Sequence, residues 1–325
     1  MIKLPRLLSV AAWSAMAALT AAPALAADSP NKPVRLVVPT AAGGSLDTLA
    51  RLLGSRLEAK LGQPFVVENR PGSNGNTAFE YVSKASHDGY TLLVASDALA
   101  INPSLYKNVR YDPVNGFAPV SLVTTAAQIL VTRPNLGAGN LQQFLAIARE
   151  KGKKLTVASP GSGSAGHLSA VLLQSQTQTS WTHVAYKGGG PAVADLVGGH
   201  VDALFVTLAP AVPQVKAGAL KAIAVTTPTR SQALPDVPSI AESGVAGFDV
   251  TNWQGVFAPA GTPSTIVEPL SGAIQAIVQE PEIRQRLVDL GFDPVSGGPQ
   301  VLGTHVRDNV AKWAKVIPQA NITVD

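Results

Sequence analysis

Twice in this chain an apolar, β-branched run ends in a glycine-rich turn and passes straight into helical periodicity: VVPTAAGGSLDTLARLL from Val37, and TVASPGSGSAGHL from Thr156. A strand that feeds a helix through so short a turn belongs to a β/α unit. Repeated units of that kind lay their strands in parallel, with helices on the faces of a doubly wound sheet. Around the first turn, VRLVVP (34–39) reads as a buried strand, while Leu46, Leu49, Ala50, Leu53, Leu57 and Leu61 fall on one helical face. PFVVENR (64–70) and YTLLVAS (90–96) supply further strands, with a helix over 78–85 between them. A second cycle runs through QILVTRP, a helix over 141–149, LTVASP, a helix over 167–173, HVAYK, a short helix over 191–197, and VDALFVT. Strands are expected at 222–226 and 255–258, and helices over 266–290 and 301–316, with Pro269 in a first turn or at a kink.

The remaining sequence bounds what those units serve. Residues 1–26, MIKLPRLLSVAAWSAMAALTAAPALA, place Lys3 and Arg6 ahead of a long apolar run and close on Ala24-Leu25-Ala26, the pattern of a secretory leader and its cleavage site. The mature protein is expected to begin at Ala27, in the periplasm. Its formal charge of +4 falls further when Lys3 and Arg6 leave, a balance that argues against a nucleic-acid partner. Beyond the leader no run approaches the ~18 apolar residues of a membrane span. The sequence has no cysteine, which leaves no place for disulfides, thiol catalysis or a lipidated cysteine. Its 325 residues suffice for two cores, so two lobes are expected.

The glycine turns suggest an anion. The first four N–H groups of a helix lack intrahelical partners, and glycine lets a ligand approach the backbone closely. With about half a positive charge from the helix dipole, such a turn suits a carboxylate or phosphate. It also lies at the carboxyl ends of parallel strands, where open α/β sheets bind ligands. A single Gly-Gly more often marks only a tight connection, and Asp47 serves equally well as a helix cap. Two turns in successive cycles shift the balance toward one ligand acid receiving donors from both lobes. Phosphate-specific motifs fail. The first turn has no Gly-Lys-Ser/Thr, and although Gly161, Gly163 and Gly166 have the spacing G-x-G-x-x-G, they lie in the middle of the sequence without an acidic residue about twenty positions on.

Catalytic patterns are weaker. Ser164 sits between strand and helix like a nucleophile elbow, but residues 162–166 read Ser-Gly-Ser-Ala-Gly, without the leading glycine of G-x-S-x-G. His305 follows in the order a triad would use. His87, His167, His183, His200 and His305 are dispersed without metal-ligand spacing, so neither metal nor cofactor is expected. His167, beside the second turn, either donates to a ligand carboxylate or fixes the loop. In YKGGGPAVADLVGGHVDALF, Pro191 starts a helix that Gly198-Gly199 ends, and Lys187 attracts an anion or is simply solvated. Trp181, Trp253 and Trp313 read as packing residues.

In sequence order, VVPTAAGGSLDTLARLL, LGQPFVVENRPGSNGN, DGYTLLV, INPSLYKNVRYDP, FAPVSLV, SPGSGSAGHL, VAYKGGGPAVADLVGGHVDALF, KAGALKAIAVTTPTRSQALPDVPSIAESG and APAGTP resemble the extracytoplasmic solute receptors of the tripartite tricarboxylate transporter family, the Bug or TctC-like proteins. The resemblance covers essentially everything from Asn31 onward. It implies an α/β, type II periplasmic binding protein fold, with lobe one over 27–125 plus 249–325 and lobe two over 126–248. Hinges are implied near 123–128 and 248–254. It further implies a small organic acid bound between the lobes, a large and a small membrane transporter subunit as partners, and a receptor that acts as a monomer and is not an enzyme. Carried over by position, Thr40, Gly43, Gly44, Ser45 and Asp47 of the first loop, Ser96 and Asp97 after the third strand, and Ser159, Gly161, Ser162, Ser164 and His167 of the second lobe would surround the ligand.

Two departures bear on specificity. Relatives commonly read P-F-P-P-G-G where Pro39-Thr40-Ala41-Ala42-Gly43-Gly44 stands here. After the HVDALF strand relatives often carry Asp-Asn, whereas Val206 and Thr207 occupy those positions here, also as pocket residues. Loss of that carboxylate predicts a ligand without an ammonium group: a di- or tricarboxylate, or an aromatic acid. The rival expectations are a sensor for a signalling partner, and a serine hydrolase using Ser164.

Overall fold

The computed structural model describes residues 32–319 and Ile322; the leader read over 1–26 lies outside the described residues. In order run β1 (Val34–Val38), α1 (Ser45–Leu61), β2 (Phe65–Asn69), α2 (Asn76–Ser83), β3 (Thr91–Ser96), α3 (Ala98–Leu105) and the long β4 (Phe117–Thr132). There follow α4 (Leu141–Lys151), β5 (Thr156–Ser159), α5 (Ala165–Thr177), β6 (Thr182–Ala185), α6 (Gly189–Val197), β7 (Ala203–Thr207), α7 (Leu208–Lys216) and β8 (Lys221–Val225). The fold closes with β9 (Thr251–Pro259), α8 (Ser264–Gln279), α9 (Pro281–Asp289), β10 (Asp293–Gly297) and α10 (Pro299–Gln319).

Two sheets grow from one strand. In the first, β2, β1 and β3 are parallel, β9 lies antiparallel beside β3, and β4 lies beside β9 with β10 beyond it. In the second, β6, β5 and β7 are parallel, and β4 and β8 follow antiparallel. Strand β4 serves both: residues from Phe117 to Ala127 face β9, and those from Gln128 to Thr132 face β7 and β8. Each lobe thus repeats one order, a central strand flanked by its two parallel neighbours and closed by antiparallel strands. The binary pattern explains the placement. The inner parallel strands β1, β3, β5 and β7 are buried along most of their length because helices cover both faces, whereas the edge strands β2 and β6 are partly exposed.

Each lobe has a core of its own, and a smaller cluster of Ile101, Leu168, Trp313 and Ile317 spans the two. Leu49, Leu53 and Leu57 of α1 pack with Leu36, Leu92 and Ile274 in the first, and Phe144 of α4 packs with Val157, Phe205 and Ile223 in the second. Each such leucine contributes on the order of 2 kcal/mol by burial. Leu61 departs from the expected face: it is the last residue of α1 and remains exposed, and Gly62 then ends the helix in the left-handed conformation.

The sequence periodicity merges or omits several elements. The helix read over 266–290 is two, because Pro281 forces Glu280 into an extended conformation at φ −59°, ψ 126°. Pro269 lies inside α8, past its first turn. Helices α3 and α7 and strand β10 are additions to the elements that the pattern predicts. Both of those helices contain a proline, Pro103 and Pro213, which masks the helical signal.

Candidate functional site

Where the lobes meet, their loops enclose a chamber of about 60 Å³ lined by Thr40, Gly44, Ser45, Ser96, Asp97, Ser164 and Thr207, together with Asn74, Gln128, Gly189 and Asn252. These positions share a local reason for being there. Gly44 precedes α1, Asp97 precedes α3, Ser164 precedes α5 and Thr207 precedes α7, while Gly189 is the first residue of α6. Five helix amino termini therefore converge on one small space, and among the described residues no lysine or arginine lines it. Each terminus offers unpaired N–H groups and about half a positive charge. A larger surface groove of about 930 Å³, bordered by Arg35, Arg70, Lys84 and Arg110, takes its walls from the first lobe alone.

The first loop is shaped from behind. Gly43 adopts φ +80°, and its N–H donates to Asp47 Oδ2 at 3.0 Å. Arg51 grips the same carboxylate through Nε at 3.0 Å and Nη2 at 2.9 Å, and Asn69 Nδ2 donates to Asp47 Oδ1 at 3.1 Å and to the Thr40 carbonyl at 3.0 Å. Burial opposes the charge of Asp47, but the Arg51, Gly43 and Asn69 donors outweigh it and hold the carboxyl below its ordinary range. Asp47 and Gly43 thus set the loop and do not line the chamber.

The second loop has a similar backing. Ser164 Oγ accepts the His167 N–H at 3.2 Å and so caps α5. His167 Nδ1 accepts the Gly163 N–H at 3.0 Å, which places its proton on Nε2, and its ring stacks on His183 with centroids 4.1 Å apart. Burial, then the His183 ring, push His167 down to about 3, so the imidazole stays neutral. Ser159 Oγ donates to the Gly161 carbonyl at 3.0 Å and lies 2.7 Å from His183 Nε2. Ser159, Gly161 and His167 are therefore a supporting layer. Val206 is buried in the second lobe, its Cγ2 within reach of Gly189. Ser162 serves the lobe contact: its carbonyl accepts the Tyr106 hydroxyl at 2.8 Å.

The lobes touch elsewhere too. The Ala41 N–H donates to the Lys187 carbonyl at 2.8 Å, and Gly190 lies against Ala42 and Gly43 so closely that a Cβ there would stand 3.0 Å from the Gly43 carbonyl carbon. The cleft is closed. Asn74 and Asn252 are wall residues that sequence reasoning did not single out. Asn74 is held at φ +50° by paired bonds with the buried Asn102, Nδ2 to Oδ1 at 2.8 Å and back to its carbonyl at 3.1 Å. Its left-handed backbone fits the Ser-Asn-Gly turn of NRPGSNGN, the one local signal available. Two buried polar atoms on the wall, Thr40 Oγ1 and Asp97 Oδ2, lack a partner among the described residues.

Among the described residues no hydrogen bond joins the Ser164 hydroxyl to a histidine ring. Ser164 Oγ is engaged by a backbone amide, and the His305 ring sits edge-on to Trp253, 5.5 Å between centroids, on α10 in the first lobe. Among the described residues no cluster of histidine and acidic side chains is suited to a metal ion, and no helix is long and apolar enough to cross a membrane.

Residues 49–322 match the Tripartite tricarboxylate transporter family receptor. The protein is 34% identical to Protein BugT of Bordetella pertussis over 318 residues, 97% of this chain and 98% of that protein. Among solved structures it is similar to R. palustris Rpa4515 with adipate, at TM-score 0.88 and 36% identity, covering 90% of this chain and 99% of that one. MatC from Rhodopseudomonas palustris with bound malate matches at TM-score 0.83 and 34% identity, over 89% and 99%. The two lobes joined by β4 and β9 are the type II periplasmic binding frame of those proteins. With that frame, and a family match from α1 to the end of α10, the chain belongs to the tripartite tricarboxylate transporter receptor family.

Proposed function

We propose that the protein is a periplasmic receptor that captures a small organic carboxylate between its lobes and presents the closed form to a tripartite membrane transporter. The observation that carries this reading is the convergence of five helix amino termini on a chamber lined, among the described residues, by no cationic side chain. Such a wall holds an anion through fixed dipoles and N–H donors, in a space where closure excludes water and strengthens each bond. Five termini contribute on the order of 5 kcal/mol to a buried anion. The two structural relatives that hold adipate and malate are both dicarboxylate complexes, which supports the same ligand class here.

In this reading lobe one comprises 27–125 and 249–325, lobe two 126–248, and the hinge lies where β4 passes between the sheets and where the chain returns at the start of β9. The ligand meets Gly44, Ser45 and Thr40 first, and closure brings in Ser164, Gly189 and Thr207. Val206 and Thr207, standing where relatives carry Asp-Asn, leave that side of the chamber without a counter-ion for an ammonium group. The receptor works as a monomer, directed by a cleavable leader, and performs no chemistry on its ligand. Large and small transporter subunits are its partners.

A thermal-shift screen over mono-, di- and tricarboxylates, nicotinate-like acids and amino acids tests this. A true ligand at a hundredfold excess over Kd stabilises by about 2.7 kcal/mol. Stabilisation by dicarboxylates supports the reading. Response to none of the acids overturns it.

A further inference from the structure

Asp97 is a carboxyl group set among helix termini that attract anions. It is only 2% exposed and borders the chamber. Although it occupies the cap position of α3, its side chain makes no capping bond. Its Oδ1 instead accepts from Asn252 Nδ2, Asn252 Oδ1 accepts from Gln254 Nε2, and Gln254 Oε1 accepts from the Thr124 hydroxyl. This relay of amides runs through β9 to β4, the strands that join the lobes. It fixes the carboxyl from the hinge side and leaves Oδ2 buried, with no partner among the described residues.

We propose that Asp97 acts as a carboxylic acid, its Oδ2–H donating to one carboxylate of a bound dicarboxylate, so that ligand capture takes up a proton from solvent at and above neutral pH. This rests on the carboxylate-receptor reading and deepens it. Two carboxylates within hydrogen-bond reach in a closed space repel, whereas the acid form makes a short, charge-assisted O–H···O bond. The balance is simple: an ionised Asp97, one proton and the ligand dianion give the protonated side chain bonded to the dianion.

The surroundings allow the exchange. Burial pushes Asp97 up to about 7, while the Ala98 amide, the Ser96 hydroxyl and Lys312 on α10 favour its charged form. The strands behind it present Gln128, Asn252 and Gln254, and the second lobe presents Ser164, Gly189 and Thr207, none of which titrates near neutrality. The five termini also favour ionisation while the chamber holds no anion. A ligand carboxylate takes over that field and raises the affinity of Asp97 for its proton.

Calorimetry of malate and adipate, with aspartate as the ammonium-bearing control, tests the proposal from pH 6 to 9 in phosphate and Tris, whose ionisation heats differ. The wild type is expected to take up close to one proton per dicarboxylate at pH 8 to 9, with Kd rising about tenfold per pH unit there and levelling off below pH 6.5. Asp97→Asn removes the titrating group, so its Kd stays flat with pH and its uptake is zero. The proton count needs only the wild-type protein and does not depend on how the variant folds. Dicarboxylate binding without proton uptake overturns this inference and leaves the receptor reading intact. So does a wild type that prefers aspartate and loses it on Asp97→Asn, because Asp97 would then be an ionised partner for ammonium. A wild type that binds neither dicarboxylate overturns this inference, and one that also responds to no acid of the thermal-shift screen overturns both.

Discussion

The Tyr106 hydroxyl, at the end of α3 in the first lobe, donates to the Ser162 carbonyl of the second lobe at 2.8 Å. The bond exists only when the lobes are closed, so it stabilises the closed form and does nothing for either lobe alone. Burial pushes the Tyr106 hydroxyl above its ordinary range, so it remains a donor throughout the working pH range. One neutral hydrogen bond is worth about 1 kcal/mol. Tyr106→Phe is therefore expected to raise the Kd of the ligand acid about fivefold, through a smaller closed population. Calorimetry reads the affinity, and ligand-free unfolding is expected to stay within about 0.5 kcal/mol of wild type.

Gly190 makes the complementary case. It lies in the first turn of α6, where a Cβ would press on Ala42 and stand 3.0 Å from the Gly43 carbonyl carbon and 3.1 Å from its Cα, backbone atoms with little freedom to move. Gly190→Ala favours the helix itself by up to about 1 kcal/mol. The variant is expected to melt no lower than wild type without ligand, yet to lose at least tenfold in affinity because the loops no longer meet. Small-angle scattering with saturating ligand checks the cause, since the variant should keep the open dimensions. A compact liganded profile would show that the loops accommodate the methyl group.

The sequence carried the lobes and the first and second loops because those features are local. Apolar strands, glycine turns and helical faces each occupy a few consecutive residues. What escaped it depends on residues far apart in sequence. Asn252 meets Asp97 across 155 positions, and Asn74 meets Asn102 across 28. A polar residue inside an apolar strand, such as Gln128 or Asn252, is visible in the sequence, but its direction is set by which strands pair. Spacing likewise could not separate wall from backing. Asp47 and His167 sit as close in sequence to their glycine turns as Ser45 and Ser164 do, yet their side chains turn behind the loops to hold backbone amides.

Asp47 shows what that backing does. Its carboxylate gathers the Gly43 amide, the Arg51 guanidinium and the Asn69 amide, the last of which also holds the Thr40 carbonyl. Asp47→Ala leaves the Gly43 amide without its acceptor and Asn69 Nδ2 with only the Thr40 carbonyl, at a cost of about 1 to 3 kcal/mol in stability. The same change is expected to weaken ligand binding, because Gly43 at φ +80° loses the anchor that sets the loop and positions Gly44 on the chamber wall. Arg51→Lys keeps charge but not the fork, and should fall between wild type and Asp47→Ala in both urea unfolding and calorimetry.

Two buried groups near the cleft titrate in opposite senses, and variants separate them. His167 is pushed down to about 3 from 6.5 by burial and by His183. Between those values the unfolded protein binds a proton that the folded protein refuses, so this contribution falls as pH drops from about 6.5. Asp97 is pushed up to about 7 from 3.8 by burial. Between those values the folded protein keeps a proton that the unfolded protein releases, so its contribution is fully present below about pH 4 and is lost as pH rises toward 7. Each has a limiting slope of about 1.4 kcal/mol per pH unit. In the wild type they largely cancel, and urea unfolding between pH 4.5 and 6.5 is expected to give a shallow profile. His167→Gln retains an acceptor for the Gly163 amide but not the titration, so its stability should fall as pH rises through that window. Asp97→Asn should do the reverse, its stability rising with pH. His305, pushed down mainly by burial, and Asp293, pushed up by burial, are present in both variants and leave the difference between them untouched. Parallel profiles for the two variants would mean that neither side chain is shifted from its free value, and a difference of half the expected size would mean that only one of them is.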